Sequence, residues 1–387
     1  MTKEPATVLL IGGGNIIAGK EIMLLTLARG LRGAGMNVEF ITSIWGGKDE
    51  FLSRLQSEGF RFYRLRLGFI SLSLQWKPII WTLDQLRYWP SLVVGYLKTV
   101  RAVNPNAIVH TNWHHALLLL PFLDHSRDVY WCHEIVPDKW LYRQVFRAIA
   151  RRTSRMASVS HATARSLAAL GISPAKIVVI HNGIADIGGL RKKADFGDTS
   201  VCIGIAGQIG RWKGHEDLIE AFGLLAKTNG GLTLRIIGNA ESDFVTLLRA
   251  RIAQLGLEGR VMWTGFIKDR ALIYEGIDIC VVPSRSEDPL PTTAIEAAFC
   301  ALPVVATNAG GLPEIVEDGV TGFLVPVGAP NRLAKAIGKL VADPALRRRM
   351  GEQGRVRAGQ LFLEQRFVGD FCRLLGKIAY PVASQEL

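Results

Sequence analysis

The chain has 387 residues, of which 49% are hydrophobic and 21% charged, so its composition is globular and excludes an intrinsically disordered chain. This length predicts two domains, and the five scattered cysteines, without a CxxC pair, argue against disulfides and a structural zinc site. Apolar runs stay well below the ~18 residues of a membrane-spanning helix, and Val8–Ile11 is too short for a signal peptide, so we expect a cytoplasmic protein.

Positive charge is concentrated in the first half of the chain. Residues 1–185 hold 22 lysines and arginines against 11 acidic residues, whereas residues 186–387 hold 24 against 23. The first half also carries seven of the nine tryptophans. This pattern indicates either an anionic partner (a phosphorylated substrate, a membrane surface or nucleic acid) or an ordinary solvated surface.

Short apolar runs, each followed by a helical pattern, recur along the chain. Runs of this kind without polar alternation are typical of parallel strands buried on both faces. The sequence therefore predicts an α/β fold with two doubly wound parallel sheets. The predicted strands are Val8–Ile11, Val38–Thr42, Ala107–His110, Val129–Cys132, Met156–Val159 and Ile177–Ile180, then Val201–Ala206, Leu232–Ile237, Val261–Thr264, Ile279–Pro283, Val304–Thr307 and Thr321–Val325.

The polar stretch Asp186–Thr199 is the predicted linker between the domains. We expect an N-terminal domain over residues 1–186, a C-terminal domain over 187–365, and a final helix over 366–387 that packs back on the first domain. Ligands of open α/β sheets bind beyond the carboxyl ends of the strands, so we expect the site in a cleft between the two domains.

The segment Arg61–Arg101 departs from this pattern because aromatic and basic residues are mixed along it. Tryptophan beside lysine or arginine suits a membrane interface. A pair of amphipathic helices packed over the sheet has the same sequence pattern, so the sequence leaves both interpretations open.

A glycine loop, Gly12-Gly13-Gly14-Asn15, follows the first predicted strand, and Gly19 opens the next helix. Glycines let a backbone approach phosphate, and a helix N-terminus offers free N–H groups. The dinucleotide fingerprint is incomplete, because Ile17 replaces its last glycine and no acidic residue ends the second strand. The loop therefore suits a phosphate, or it is a tight turn without a ligand.

Charged residues also follow the strands of the second half. Lys213 stands just before a helix, where its ammonium can reach a phosphate, and a solvated surface lysine is the alternative. Asp288 follows a strand and can accept hydrogen bonds from sugar hydroxyls, and Glu296 lies on the alanine-rich helix that comes next. A carboxylate on such a helix needs a partner, for which vicinal ribose hydroxyls and a buried ion pair are the alternatives. The later glycine turn Gly310-Gly311 also suits an anion.

These residues resemble the retaining, GT-B fold glycosyltransferases of the large family 4. The resemblance runs from Val201 to Val327 and is most specific in DPLPTTAIEAAFCALPVVATNAGGLPEIVEDGVTGFLV, where Asp288 and Glu296 match the family's acid–seven–Glu element. The first half is similar more loosely, through AGKE, HE, SHAT and NGI. The resemblance implies a GT-B fold, in which two Rossmann-like domains, one for the acceptor and one for the nucleotide-sugar donor, face each other across a cleft.

The resemblance also implies an activity and roles for particular residues. It implies retaining transfer of a hexose-type sugar from a nucleotide-diphosphate sugar to a saccharide or lipid-linked saccharide in bacterial surface polysaccharide biosynthesis, without a metal or other cofactor. Lys213 would bind the diphosphate, Glu296 the ribose and Asp288 the donor sugar. His133 would lie near the transferred sugar, with a structural histidine as the alternative. The resemblance implies that His133, Lys213 and Asp288 are the catalytic residues. The other predicted donor-binding residues are Gly13, Gly14, Gly19, Gln208, Arg211, Gly238, Phe266, Glu287, Leu290, Thr292 and Thr293.

Three departures from the family pattern bear on these roles. Asp288 stands where the family usually has glutamate, and Glu287 beside it competes for the role. Gln208 replaces a frequent arginine, for which Arg211 is a candidate substitute. Pro289 and Pro291 stand where the family often has glycines, and neither has an N–H donor. The N–H groups of Leu290, Thr292 and Thr293 are left to bind sugar and phosphate.

The expected partners are the nucleotide-sugar donor, the acceptor and an anionic surface on the inner face of the cell membrane, without nucleic acid. Two other functions stay open at this point: a GT-B sugar-nucleotide epimerase, and a non-catalytic, membrane-associated binding protein.

Overall fold

A computed structural model describes residues 5–13, 17–44, 50–70, 76–188, 200–239 and 243–379. The chain divides into two compact units. Residues up to 183, together with those from 364 onward, form the first unit, and residues 184–363 form the second. Of the predicted linker Asp186–Thr199, residues 189–199 lie outside the described residues.

The first unit is built on a seven-stranded parallel sheet with the order β3-β2-β1-β4-β5-β6-β7. Its strands are β1 (Thr7–Ile11), β2 (Asn37–Ser43), β3 (Arg61–Leu65), β4 (Ala107–His110), β5 (Asp128–Cys132), β6 (Arg155–Ser158) and β7 (Ile177–Val179). Its helices are α1 (Gly19–Gly33), α2 (Glu50–Ser57), α3 (Trp76–Arg87), α4 (Trp89–Val103), α5 (Trp113–Leu118), α6 (Trp140–Arg152), α7 (His161–Ala169) and, at the end of the chain, α15 (Glu364–Ala379).

The second unit repeats the same strand order over six parallel strands, β10-β9-β8-β11-β12-β13. Its strands are β8 (Val201–Ala206), β9 (Leu232–Ile237), β10 (Val261–Gly265), β11 (Ile279–Val282), β12 (Val304–Thr307) and β13 (Gly322–Val325). Its helices are α8 (His215–Ala226), α9 (Asp243–Gln254), α10 (Arg270–Ile273), α11 (Thr292–Phe299), α12 (Leu312–Ile315), α13 (Pro330–Ala342) and α14 (Pro344–Leu361).

The predicted α/β class with two doubly wound sheets is confirmed. Every strand predicted from an apolar run is present, with ends that differ by no more than one residue. Strand β3 was not predicted, because it lies at the sheet edge and its exposed arginines, Arg61 and Arg64, interrupt the apolar pattern. The aromatic and basic segment therefore begins with a strand.

The last helix completes the core of the first unit. Trp131 of β5 packs against Phe367 and Phe371 of α15, with ring centroids 5.6 and 4.8 Å apart, and all three rings are fully buried. Gly30 of α1 lies so close to Val368 that a Cβ there would meet its methyl group at 2.2 Å. Each buried ring contributes about 1.5–3 kcal/mol to the stability of the unit.

The rest of the aromatic and basic segment divides into two helices with different environments. Helix α4 packs on the sheet through Leu92, Tyr96 and Val100, as the packed-helix interpretation predicted. Helix α3 instead leaves most of its apolar side chains exposed. Among the described residues, no helix combines the length and the apolar character that crossing a bilayer requires.

Candidate active site

Two loops of the second unit meet where the strand order reverses. One follows β8 and the other follows β11, and these strands are neighbours in the sheet. The loops are hydrogen-bonded to each other, since the Arg285 N–H donates to the Trp212 carbonyl at 2.8 Å. The carboxyl edge at such a switch point is where open α/β sheets bind ligands.

A lysine and an aspartate from these loops form an ion pair. The Lys213 Nζ donates to Asp288 Oδ2 at 2.5 Å, and both side chains are partly exposed. Gly214 makes this approach possible: its φ is 72°, and a Cβ on it would lie 1.8 Å from the Pro283 carbonyl oxygen. The structure thus brings together two of the three residues predicted to take part in catalysis.

The glycine turn before α12, Gly310-Gly311, packs against the backbone of Asp288. The Gly311 N–H donates to the Asp288 carbonyl at 2.8 Å, and a Cβ on Gly310 would lie 2.2 Å from the same oxygen. The Gly311 N–H, expected to suit an anion, is therefore engaged by the protein itself. Glu287 is exposed, so Asp288 and not its neighbour is the carboxylate paired with Lys213.

Glu296 lies buried on α11 with two partners from α10 and the turn after it. The Tyr274 hydroxyl donates to Glu296 Oε2 at 2.9 Å, and the Arg270 Nε lies 3.6 Å from Oε1. Burial raises the pKa of Glu296, while Arg270 and Tyr274 oppose that rise. An ion pair, the alternative considered for this carboxylate, is therefore present between the buried Glu296 and the partly exposed Arg270.

The first turn of α11 supplies backbone donors near these carboxylates. Thr292 and Thr293 are its first two residues, and Pro291 precedes them without a side-chain cap. The first N–H groups of a helix have no partner within the helix, so they are available to an anion. Leu290 is buried, and its side chain packs toward Gly311.

Arg211 is engaged by other side chains. Its guanidinium binds Glu216 at 2.9 Å and lies 4.9 Å from the centre of the Phe244 ring. Gln208 is exposed. Lys213 thus pairs with Asp288, while Arg211 joins an ion-pair network with Glu216, to which Arg285 also belongs.

Two further predicted residues lie at the same carboxyl edge, after β9 and β10. A Cβ on Gly238 would lie 2.1 Å from the Gly207 carbonyl oxygen, so the loops after β8 and β9 touch through their backbones. Phe266 follows β10 and leaves 79% of its surface exposed. An exposed aromatic ring of this kind offers a flat surface for stacking.

Among the predicted glycines of the first unit, Gly13 has a structural reason to be glycine. Its φ is 96°, and a Cβ on it would meet the Phe51 ring at 2.3 Å. Gly19 begins α1, where a Cβ would enter open space. Gly14 lies outside the described residues.

His133 follows β5 in the first unit, and its ring packs on Trp131 with centroids 4.1 Å apart. Its Nε2 is buried and has no hydrogen-bond partner among the described residues. Burial, assisted by the charge of Lys20, lowers the pKa of His133 well below its usual value, so the ring is neutral near pH 7. A neutral ring with an unused nitrogen can hydrogen-bond a ligand or a water molecule.

Two family descriptions match successive parts of the chain. Residues 17–186 match "Glycosyltransferase Family 4", and residues 187–357 match "Glycosyl transferases group 1". The chain belongs to the group 1, family 4 glycosyltransferases. The family resemblance inferred from the sequence is thereby confirmed.

Curated relatives of this family match part of the chain. A D-inositol 3-phosphate glycosyltransferase from Segniliparus rotundus is 33% identical over 203 residues, which is 49% of this chain and 45% of the relative. The capsular polysaccharide biosynthesis glycosyltransferase CapM from Staphylococcus aureus is 29% identical over 163 residues, 42% of each chain. The chain thus spans less than half the length of these relatives.

Solved structures match nearly the whole chain. Anabaena Alr3699/HepE, solved in complex with UDP-glucose, is 22% identical with a TM-score of 0.76, over 96% of this chain and 99% of that one. A glycosyltransferase from Rickettsia africae is 18% identical with a TM-score of 0.81, over 98% and 100%. These likenesses confirm the GT-B fold class of this family member.

Sequence reasoning missed Arg270 and Tyr274, the two partners of Glu296. They lie in and just after the short helix α10, a stretch that carries no glycine loop, strand pattern or family motif. A buried glutamate predicts that some partner exists, but the periodicity of the chain does not say which residue it is.

Proposed function

We propose that the protein is a retaining glycosyltransferase that moves a hexose-type sugar from a nucleotide-diphosphate sugar to a saccharide or lipid-linked saccharide of a bacterial surface polysaccharide. The observation that carries the proposal is the Lys213–Asp288 pair at the switch point of the second unit of a family 4 member. Relatives named for capsular polysaccharide and for lipopolysaccharide core biosynthesis support the acceptor class.

The donor is held by residues of the second unit. Glu296, oriented by Tyr274 and Arg270, accepts hydrogen bonds from the ribose hydroxyls. Lys213 and the first N–H groups of α11 bind the diphosphate. The exposed ring of Phe266 stacks on the base. Because HepE was solved in complex with UDP and with UDP-glucose, a uridine nucleotide is the first candidate.

In the reaction, the bond between the anomeric carbon and the diphosphate oxygen breaks while the acceptor hydroxyl adds to the same face of the sugar. The hydroxyl proton passes to the departing phosphate oxygen. Negative charge grows on the diphosphate, and the Lys213 ammonium and the N–H groups of α11 are preorganised to stabilise it. We propose that these groups suffice without a bound metal ion.

Asp288 and Glu296 both contact the donor in this scheme. Asp288 binds the donor sugar and places the Lys213 ammonium, and Glu296 is buried on its helix. Neither is assigned as the nucleophile of a double displacement, so we propose front-face attack with retention. In the first unit, the unused Nε2 of His133 is proposed to hydrogen-bond the substrate.

The decisive experiment has two stages. Uridine, guanosine and adenosine diphosphate sugars are screened for thermal stabilisation of the protein, and the donor that stabilises it is incubated with saccharide and lipid-linked acceptors. Transfer with an unchanged anomeric configuration, in the presence of EDTA, is expected. Conversion of the donor to another sugar nucleotide without acceptor shows an epimerase, and donor binding without any reaction shows a binding protein. Stabilisation by none of the donors contradicts the proposal.

We also propose that the protein works in the cytoplasm, at the inner face of the cell membrane, because a lipid-linked acceptor is held there. The excess of positive charge in the first half of the chain supports this location.

A further inference from the structure

Helix α3 has the reverse of the usual amphipathic pattern. Its polar residue Gln85 is fully buried and donates to the Arg66 carbonyl at 2.8 Å. Ile80, Leu83 and Leu86 leave 52%, 60% and 50% of their surfaces exposed. A helix on the surface of a water-soluble domain normally turns its apolar stripe inward, so this arrangement requires another explanation.

Four of the exposed apolar residues of α3 lie on one side of the helix, while Trp81, which is also exposed, lies away from them. Ile79, Leu83 and Leu86 are spaced by four and three residues, which places them in a single row, and Ile80 lies beside that row. We call these four residues the α3 face. Single exposed apolar side chains are ordinary, but a contiguous row of them marks an interaction surface.

An arginine lies beside the α3 face. Arg87 follows Leu83 by four residues and Ile80 by seven, which places it next to them on the helix surface, and its side chain is exposed. Residues 61–101 contain seven lysines and arginines and a single acidic residue, Asp84. An apolar row beside an arginine, in a segment of strong positive charge, is complementary to a bilayer with anionic headgroups, whereas a second copy would bring like charges together.

Aromatic side chains flank the helix as well. The rings of Phe69 and Trp81 meet edge to face with centroids 6.5 Å apart, and both are about half exposed. Aromatic rings and arginines with long apolar stems are the residue types that favour the boundary between headgroups and acyl chains.

We propose that the α3 face docks the first unit on an anionic lipid bilayer, with its four apolar side chains below the headgroups and Arg87 among the phosphates. The proposal deepens the membrane location suggested above and rests on that part of the proposed function. Its test requires neither a donor nor turnover, so its failure leaves the transferase proposal untouched.

The test is sedimentation of the whole protein with vesicles of phosphatidylcholine that do or do not contain phosphatidylglycerol. The wild type is expected to bind the anionic vesicles, with binding weakened but not abolished by 1 M salt, because salt screens charge and leaves apolar burial intact. The double variant Ile80→Ser/Leu83→Ser is expected to bind at least tenfold more weakly. Leu247→Ser, at a leucine of the second unit that is 55% exposed, is the matched control and should bind like wild type.

Thermal unfolding of each variant shows whether it is folded, and exposed leucine-to-serine changes are expected to leave the midpoint nearly unchanged. Equal loss of vesicle binding in Leu247→Ser and in the double variant overturns the proposal, as does wild-type binding in a folded double variant. A wild-type protein that ignores anionic vesicles but forms dimers that Ile80→Ser/Leu83→Ser abolishes also overturns it, and assigns the α3 face to a second copy.

Discussion

Lys213 and Asp288 are 75 residues apart in the chain, yet the Lys213 Nζ and Asp288 Oδ2 are 2.5 Å apart. Two loops from neighbouring strands bring them together, and Gly214 and Gly311 fix the backbone on either side. Before a donor binds, the carboxylate of Asp288 compensates the charge of Lys213. A diphosphate that reaches Lys213 therefore competes with Asp288 for the same ammonium.

Replacing Lys213 by alanine should lower turnover as well as donor affinity, because the ammonium stabilises charge that builds as the diphosphate leaves. Loss of one such electrostatic donor costs about 2.7–4 kcal/mol, or roughly a hundredfold to a thousandfold in rate. Turnover at saturating donor is the measurement. Gln208→Arg should partly restore the activity of the Lys213 variant if both side chains reach the same phosphates. A folded Lys213→Ala protein with full turnover contradicts the diphosphate assignment.

Asp288→Asn should separate binding from turnover. Removing the carboxylate frees the Lys213 ammonium, so affinity for the free nucleoside diphosphate should rise by up to about fivefold, from the roughly 1 kcal/mol of a partly exposed pair. Turnover should fall because the sugar loses its contact. Calorimetric titration and an activity assay give the two values. Glu287→Gln, at the exposed neighbour, is the control, and equal effects in both variants would show that only net charge matters.

Glu296→Gln should weaken donor binding more than acceptor binding, since the ribose hydroxyls lose a charged acceptor. Such a loss costs about 1.5–3 kcal/mol. Wild-type protein should prefer a nucleoside diphosphate to its deoxyribose analogue, and the variant should lose most of this preference. An unchanged affinity for the ribose form would rule out the ribose role of Glu296.

Tyr274→Phe should shift the pH dependence of donor binding. Burial already raises the pKa of Glu296, and the Tyr274 hydrogen bond opposes that rise by favouring the ionised form. Donor affinity that needs the carboxylate is present above this pKa and is lost as the pH falls through it. Without the hydroxyl the pKa rises further, so the loss should occur at higher pH, as titrations across a pH series would show. Tyr63→Phe, which removes a 3.0 Å bond to Glu39, should leave the curve in place.

Gly310→Ala should disturb the site through the backbone. The φ of Gly310 is 57°, and a Cβ would lie 2.2 Å from the Asp288 carbonyl oxygen. Gly319, with a φ of 75° and open space around it, is the matched control for the backbone strain of about 1–2 kcal/mol that both variants share. Donor affinity should fall in Gly310→Ala alone. The same affinity in both variants would show that the loop does not support Asp288.

The elements that could be predicted from the sequence are those determined by a residue pattern within one short segment. Buried parallel strands need continuous apolar runs, so strands such as β8 and β12 could be predicted almost to the residue. Strand β3 could not, because an edge strand is half-exposed and Arg61 and Arg64 interrupt its pattern. The family's acid–seven–Glu element also identified Asp288 and Glu296 as a pair, because both residues of that element lie within one short stretch of the chain.

Contacts between segments that are far apart in the chain could not be predicted from the sequence. Nothing in the order of residues says that Tyr274 reaches Glu296, because that contact depends on how α10 and α11 pack. The aromatic and basic segment shows the same limit: α3 and α4 have similar compositions, and only the structure shows that Tyr96 points inward while Leu83 points outward.

The position of helix α15 in the chain affects the order in which the two units can fold during synthesis. Phe367 and Phe371 close the aromatic cluster around Trp131, yet they are synthesised after the whole of residues 184–363. A chain emerging from the ribosome can finish the second unit while the first still exposes the Trp131 surface. Residues 184–363 form a long loop between α15 and the rest of the first unit. Bringing the ends of this loop together costs little more entropy than for a shorter loop, because the cost grows only with the logarithm of loop length. The first unit is therefore the first to be synthesised and the last to be completed. A nonsense mutation in the final turns of α14 would remove α15 and leave the Trp131 surface of the first unit uncovered.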